Sequence, residues 1–191
     1  MMAKRVYFAF HYQDVIDFRA NVVRKHDFTK SGEVAGYYDH SIWEKSKKEG
    51  TLALKRMINS ELKGSTVTAV LIGSETYARR WVRYEIMKSV EKGSLVLGVH
   101  INSIGDKNKL TKRQGPNPFA YQGLQISSDG MKGRPTEWDG QKWIYDSDFE
   151  VINLTQQPLA NRDKNLQLLH WFRTYDWIGD RGYDNFATWI Q

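Results

Sequence analysis

The chain has 191 residues, of which 40% are hydrophobic, 26% charged and 13% aromatic. That suits one domain with a full core, or one carrying a substantial insertion, and excludes a disordered chain, a collagen-like chain and a coiled coil. The net charge is +6, and the absence of cysteine excludes disulfides, thiolate metal sites, Fe–S clusters and cysteine nucleophiles.

Val6-Tyr7-Phe8-Ala9-Phe10 reads as a buried first strand. Asp14, a good N-cap, then opens a helical pattern to about residue 26, with Val15, Phe18, Val22 and Val23 at spacings of three and four. A second strand is read at 34–38, and a helix from about 43 to 62, stopped by Gly64. The run from Val67 to Gly73 is nearly continuous in apolar residues, as expected of a strand covered on both faces. A helix over about 80–92 ends at Gly93, and a second buried strand runs from Leu95 to Ile101. This alternation predicts an α/β fold, a parallel sheet flanked by helices, with ligands at the carboxyl ends of its strands. The segments after those strands begin at Phe10-His11, Asp39, Ser74-Glu75 and Asn102.

Residues 102–152 hold most of the turn signals. They read as an insertion of loops and short antiparallel strands, with Asp139-Gly140 as the two-residue turn of a hairpin. The remainder predicts a helix over about 163–175, then a short aromatic segment from Trp177 to Trp189.

Several devices are missing: no Gly-x-Gly-x-x-Gly, no Gly-Lys-Ser/Thr, no His-Glu-x-x-His and no Gly-x-Ser-x-Gly. The five histidines are scattered, so no metal site is expected. The basic residues are dispersed, with only short clusters at 45–48 and 79–83, so no nucleic-acid partner is expected. No apolar run approaches ~18 residues and no signal-peptide core follows Met1, so no membrane partner and a cytoplasmic location are expected.

At about 100° per residue, Val82, Ile86, Met87 and Val90 form one apolar arc. Glu85 falls just outside it, between Trp81 and Ser89, and is expected to be half shielded. Shielding strengthens the effect of a carboxylate on any cation beside it. From helix geometry alone, a surface glutamate paired with Lys88 or a neighbouring arginine is the competing reading.

These residues carry a resemblance. Val70-Leu71-Ile72-Gly73-Ser74, then Tyr77, then Trp81-x-x-x-Glu85-Ile86, resembles the TIR-domain segment in which a buried strand ends in serine and a helix carries Trp-Cys-x-x-Glu-Leu. Val82 stands where cysteine is usual and Ile86 where leucine is. The stretch from Tyr7 to Asp14 resembles the TIR start Phe-Ile-Ser-Tyr-x-x-x-Asp, with Ala9 for serine and Phe10 for tyrosine; the usual proline-glycine after the second strand is missing. Further likeness, at 4–23, 53–56, 66–74, 80–89, 115–119 and 175–177, is to the ThsB proteins of the bacterial Thoeris anti-phage system, and covers nearly the whole chain.

The resemblance implies a single TIR-like (flavodoxin-like) domain over 1–191, with a core of about 4–101, an insertion of about 102–152 and a helical C-terminal part of about 153–191. It implies an NAD glycohydrolase/ADP-ribosyl cyclase with Glu85 as catalytic carboxylate, NAD as substrate and no cofactor. The implied product is a cyclic ADP-ribose isomer that activates a ThsA-type effector. The implied trigger is a phage component, the capsid protein, with self-assembly on activation. A plain glycohydrolase giving linear ADP-ribose, and a non-catalytic TIR-like interaction module, are the alternatives. Expected substrate-binding residues are Phe10, His11, Asp39, Ser74 and Trp81. Each has a plainer reading: core packing for Phe10 and Trp81, an exposed loop for His11, a turn or cap for Asp39, a cap for Ser74. Arg79, Arg80 and Arg83 either meet a pyrophosphate or form a solvated basic face.

Overall fold

A computed structural model describes residues 4–26, 34–35 and 48–191. Along the chain, β1 (Val6–Phe10), α1 (Tyr12–Ile16), α2 (Arg19–Arg24), β2 (Val34–Ala35), α3 (Thr51–Leu62), β3 (Val67–Ile72), α4 (Arg80–Glu91) and β4 (Leu95–His100) alternate as the apolar patterns predict. Then come β5 (Gln122–Ile126), β6 (Lys132–Trp138), β7 (Trp143–Tyr145), β8 (Ile152–Asn153), β9 (Asn165–Gln167), β10 (Thr174–Asp176) and α5 (Gly182–Trp189).

Five strands form the main sheet, in the order β10-β4-β3-β1-β2, and every neighbouring pair is parallel. The order 2-1-3-4 with a fifth strand beyond is the flavodoxin-like arrangement, which reverses direction between β1 and β3. β3 is buried at all six positions, because both sheet faces are covered. One face packs Tyr7, Ala9, Val70 and Ile72 against α3 and α4, through Ile58, Leu62, Val82 and Ile86. The other packs Phe8, Ala69, Leu71 and Val99 against α2 and α5, through Val23 and Phe186. Alternation along β1 therefore sends Tyr7 and Ala9 to one layer, and Val6, Phe8 and Phe10 to the other.

The predicted insertion supplies β5, β6 and β7 of a second, antiparallel sheet in the order β7-β6-β5-β9, with β8 at its end also on β6; β9 comes from the predicted C-terminal part. The insertion packs Phe119, Leu124, Ile126 and Ile152 into the α3–α4 layer. The β6–β7 hairpin is present, but its turn is shifted by one residue. Asp139 N donates to Lys142 O across the tip, so Gly140-Gln141 are the two turn residues. Gly140 takes φ 108°, and the Asp139 carboxylate accepts the amides of Gln141 and Lys142 at 2.8 Å each.

Three expectations need correction. The first helix is broken: Phe18 adopts a left-handed φ of 66°, separating α1 from α2, and Asp14 is not an N-cap but a buried residue inside α1. The break turns Arg19 inward, where it is fully buried. Of the helix predicted over about 43–62, positions 48–49 and α3 are helical but are separated by Gly50 at φ 100°; positions 36–47, including Asp39, lie outside the described residues. The helix predicted over 163–175 is absent, and the C-terminal part is mostly not helical. β9, a 3₁₀ turn at Leu168–His170 and β10 occupy that stretch instead. Pairing decides it: Leu166 faces Leu124 across β9–β5, and Thr174-Tyr175-Asp176 complete the main sheet beside β4. Only α5 is an α-helix there. Among the described residues no helix is long and apolar enough to cross a membrane.

Candidate active site

Glu85 sits in the second turn of α4. The 3₁₀ turn at Thr76–Ala78 reverses the chain after β3, so α4 runs back beneath the sheet from its carboxyl edge. The turn is fixed by Thr76, whose hydroxyl oxygen accepts the amide of Gly73 at 2.8 Å. Glu85 is 3% exposed, hence buried rather than half shielded. The difference comes from the strand above: Tyr7, itself fully buried in β1, donates its hydroxyl to Glu85 Oε1 at 2.7 Å. One turn on, Ser89 donates to the Glu85 carbonyl at 2.7 Å, and its oxygen lies 2.8 Å from Thr68 Oγ1 on β3. The insertion reaches the same helix, Gln122 Nε2 donating to Arg83 O at 2.9 Å.

His11 follows β1 and is half-buried. Burial, then the Arg79 guanidinium, holds its imidazole below the usual 6.5, so it is uncharged at neutral pH. Trp81 is half-buried on α4, edge-on to Tyr84 at 6.0 Å, with the Arg80 guanidinium 5.0 Å from its ring. Ser74 is exposed and caps nothing; its hydroxyl accepts from Asn102 Nδ2 at 2.9 Å, which ties the ends of β3 and β4. Phe10 packs in the opposite layer from Glu85, beneath the Arg24 guanidinium at 5.1 Å. The structure thus sets Glu85 and Trp81 on one helix, and His11 and Ser74 at the ends of β1 and β3, but turns Phe10 away. The three arginines are engaged: Arg79 with Glu75, Arg80 with Asp148 at 3.3 Å, and Arg83 with Glu137 at 3.2 Å.

Tyr7 was not among the sequence candidates. Its signal was available: a tyrosine on the helix-facing parity of a buried strand needs a partner for its hydroxyl. It also occupies the phenylalanine of the TIR start.

A second carboxylate lies at the same edge of the sheet. Asp14 is 5% exposed, with Oδ2 3.5 Å from Thr76 Oγ1. A side chain at Gly73 would collide with its oxygens, so glycine is required there. Burial, then the charge of Asp17, pushes the Asp14 carboxyl up to about 6, against Lys112, Arg19 and the Thr76 hydroxyl. A carboxyl raised this way binds its proton more tightly in the folded state. Stability is therefore fullest below the unfolded value of 3.8 and is lost as pH rises through about 6. The loss amounts to about 3 kcal/mol at 1.36 kcal/mol per pH unit. Asp14→Asn is expected to flatten this slope and to raise the urea midpoint at pH 7 relative to the parent. Urea unfolding of both proteins from pH 4 to 7.5 is the check, and parallel slopes would rule the assignment out.

Among the described residues no group of three or more His, Asp or Glu side chains is placed to hold a metal ion. The arrangement offers one fixed carboxylate in an apolar layer, which can oppose positive charge developing on a bound substrate. The family model described as "Thoeris protein ThsB, TIR-like domain" matches residues 7–106, from Tyr7 through α4 and β4. This chain belongs to the ThsB TIR-like family. Its residues β1 to β4 are thus the shared ThsB TIR-like core, and the antiparallel sheet lies beyond the matched segment. A relative from Bacillus cereus (strain MSX-D12), named "Putative cyclic ADP-D-ribose synthase ThsB1", is 52% identical over 192 aligned residues, covering 100% of both chains. Likeness to that ThsB relative therefore includes the antiparallel sheet and the C-terminal strand.

Proposed function

We propose that this chain cleaves NAD between ribose and nicotinamide and closes the remaining ADP-ribose into a cyclic isomer. The observation that carries this is the Glu85 carboxylate, buried on α4 and held at 2.7 Å by Tyr7. Full-length identity of 52% to a relative named for cyclic ADP-D-ribose synthesis supports it. When the C1′–N bond breaks, its electron pair stays with nicotinamide, which leaves neutral, and positive charge collects on the ribose. A carboxylate held in place by β1 faces that charge without having to reorganise. A hydroxyl of the adenosine ribose then attacks C1′, closing the ring and releasing its proton. Attack by water instead gives linear ADP-ribose, so the site must fold the substrate and exclude water. Uncharged His11, Ser74 and Trp81 are the groups proposed to border the substrate, with Asp39 retained from the sequence.

In this reading the cyclic product diffuses to an effector of the ThsA type. A phage component, the capsid protein, sets off the reaction, and self-assembly of the chain completes the pocket. The test is mass spectrometry of nucleotides in lysate from phage-infected cells expressing the chain. A species of cyclic ADP-ribose mass is the expected result. Linear ADP-ribose alone would make the protein a glycohydrolase. Neither product, with folded protein and confirmed infection, would leave a TIR-like interaction module.

A further inference from the structure

Tyr7 and Thr68 are register partners across β1 and β3. Their hydroxyls meet Glu85 and Ser89, which lie four residues apart on α4 and so on one helix face. Ser89 spends its proton on the Glu85 carbonyl, so Thr68 is the donor in the Thr68–Ser89 pair. The helix is therefore fastened at two heights. The lower fastening joins hydroxyl to hydroxyl. The upper one joins a phenol to the carboxylate itself.

On the flanking helices Arg80 and Lys55 pair with Asp148, Arg83 with Glu137, and Lys88 with Glu91. Lys92 donates to Leu62 O and to Ser65 O. The phenol of Tyr7 is a hydrogen-bond donor aimed at the carboxylate from within the sheet. A donor of this kind favours the ionised form and fixes the orientation of the carboxylate. A carboxylate that opposes positive charge needs both properties.

We infer that Tyr7 is the positioning residue of the Glu85 carboxylate, holding Oε1 and with it the orientation of the buried group. This rests on Glu85 being catalytic. The test compares Tyr7→Phe, Thr68→Val and Glu85→Gln in the infected-lysate assay, buffered from pH 5 to 9. Thermal melts are run on the purified proteins.

Tyr7→Phe keeps the ring and removes one hydroxyl. It is expected to lower kcat about ten-fold, leave KM within two-fold, and move the acid limb of the pH profile upward by about one unit. Thr68→Val removes the neighbouring fastening, so it is expected to lower the melting temperature without moving that limb. A Tyr7→Phe protein with the parent's kcat and pH profile would overturn the inference, as would a Thr68→Val protein showing the same limb shift. Should Tyr7→Phe fail to fold, 3-fluorotyrosine at position 7 decides. It is the stronger donor and keeps the packing, so the limb should move downward; an unmoved limb overturns the inference. Glu85→Gln separates the two levels. If it retains activity, the proposed function falls together with this role for Tyr7. If it is inactive while Tyr7→Phe is unchanged, only the role of Tyr7 falls.

Discussion

Glu85→Gln is expected to lower the rate of nicotinamide release from NAD by at least about 100-fold, while the protein remains folded. The change is nearly isosteric. The amide oxygen of Gln can still accept from Tyr7, and Ser89 still bonds the main-chain carbonyl of residue 85. What disappears is the negative charge opposite the developing positive charge on ribose, and removing one such electrostatic contact costs about 3–4 kcal/mol in the transition state. The stability readout should move the other way. A carboxylate that is 3% exposed is held against its own desolvation, and a neutral amide relieves that cost. A melting temperature equal to or above the parent's, with activity lost, is the signature of a group kept for chemistry. A purely packing role would instead lower the melting temperature and spare turnover. Activity within three-fold of the parent would remove Glu85 from the mechanism.

Arg19→Ala is expected to destabilise the fold by about 3 kcal/mol, and to lower the melting temperature by roughly 10 °C for a chain of this size. Arg19 is fully buried, and its guanidinium joins three segments. Nε donates to Ile104 O at 2.9 Å, Nη2 to Leu110 O at 2.7 Å, and Nη1 pairs with Asp17 at 3.0 Å. Alanine leaves two carbonyls without their donor and a cavity where the side chain was. Arg19→Lys should recover only part of the loss, because one ammonium cannot span the fork that meets both carbonyls. Asp17 also pairs with Lys112 at the surface, so its charge is not stranded and adds little to the penalty. Circular-dichroism melts of the three proteins are the check. A fall of less than about 2 °C for Arg19→Ala would show that the anchor is dispensable.

The elements legible in the sequence were those whose pattern is strong over one continuous stretch. β3 and β4 are apolar runs, and α4 combines an apolar arc with a glycine stop at Gly93. Glu85 drew notice at the rim of that arc, but its proposed catalytic role was legible only through the likeness of Trp81-x-x-x-Glu85-Ile86 to the TIR segment. Its burial was underestimated, because the covering group comes from Tyr7, 78 residues away, and a helix wheel holds no information about the strand above it. The break at Phe18 was missed for the same reason. Local spacing favours one helix through 14–26, but two long-range bonds from Arg19 outweigh one left-handed residue. In the tail, Leu166, Leu169 and Phe172 mimic helical spacing, yet Leu166 pairs with Leu124 and Leu169 faces solvent. Partner strands set that conformation, and their identity is not written in the segment itself.

The position of β10 has a consequence for the newborn chain. Thr174-Tyr175-Asp176 cover the outer edge of β4 from Gly98 to His100, although 73 residues separate His100 from Thr174 in sequence. At ~5–20 residues per second, translation leaves the β4 edge uncovered for several seconds after it is made. Throughout that interval the backbone amides and carbonyls of an apolar strand stand open to a neighbouring nascent chain. Bulk folding is thereby tied to the last part of synthesis, and a ribosome stalled before codon 174 would release a product inclined to aggregate rather than a smaller working unit.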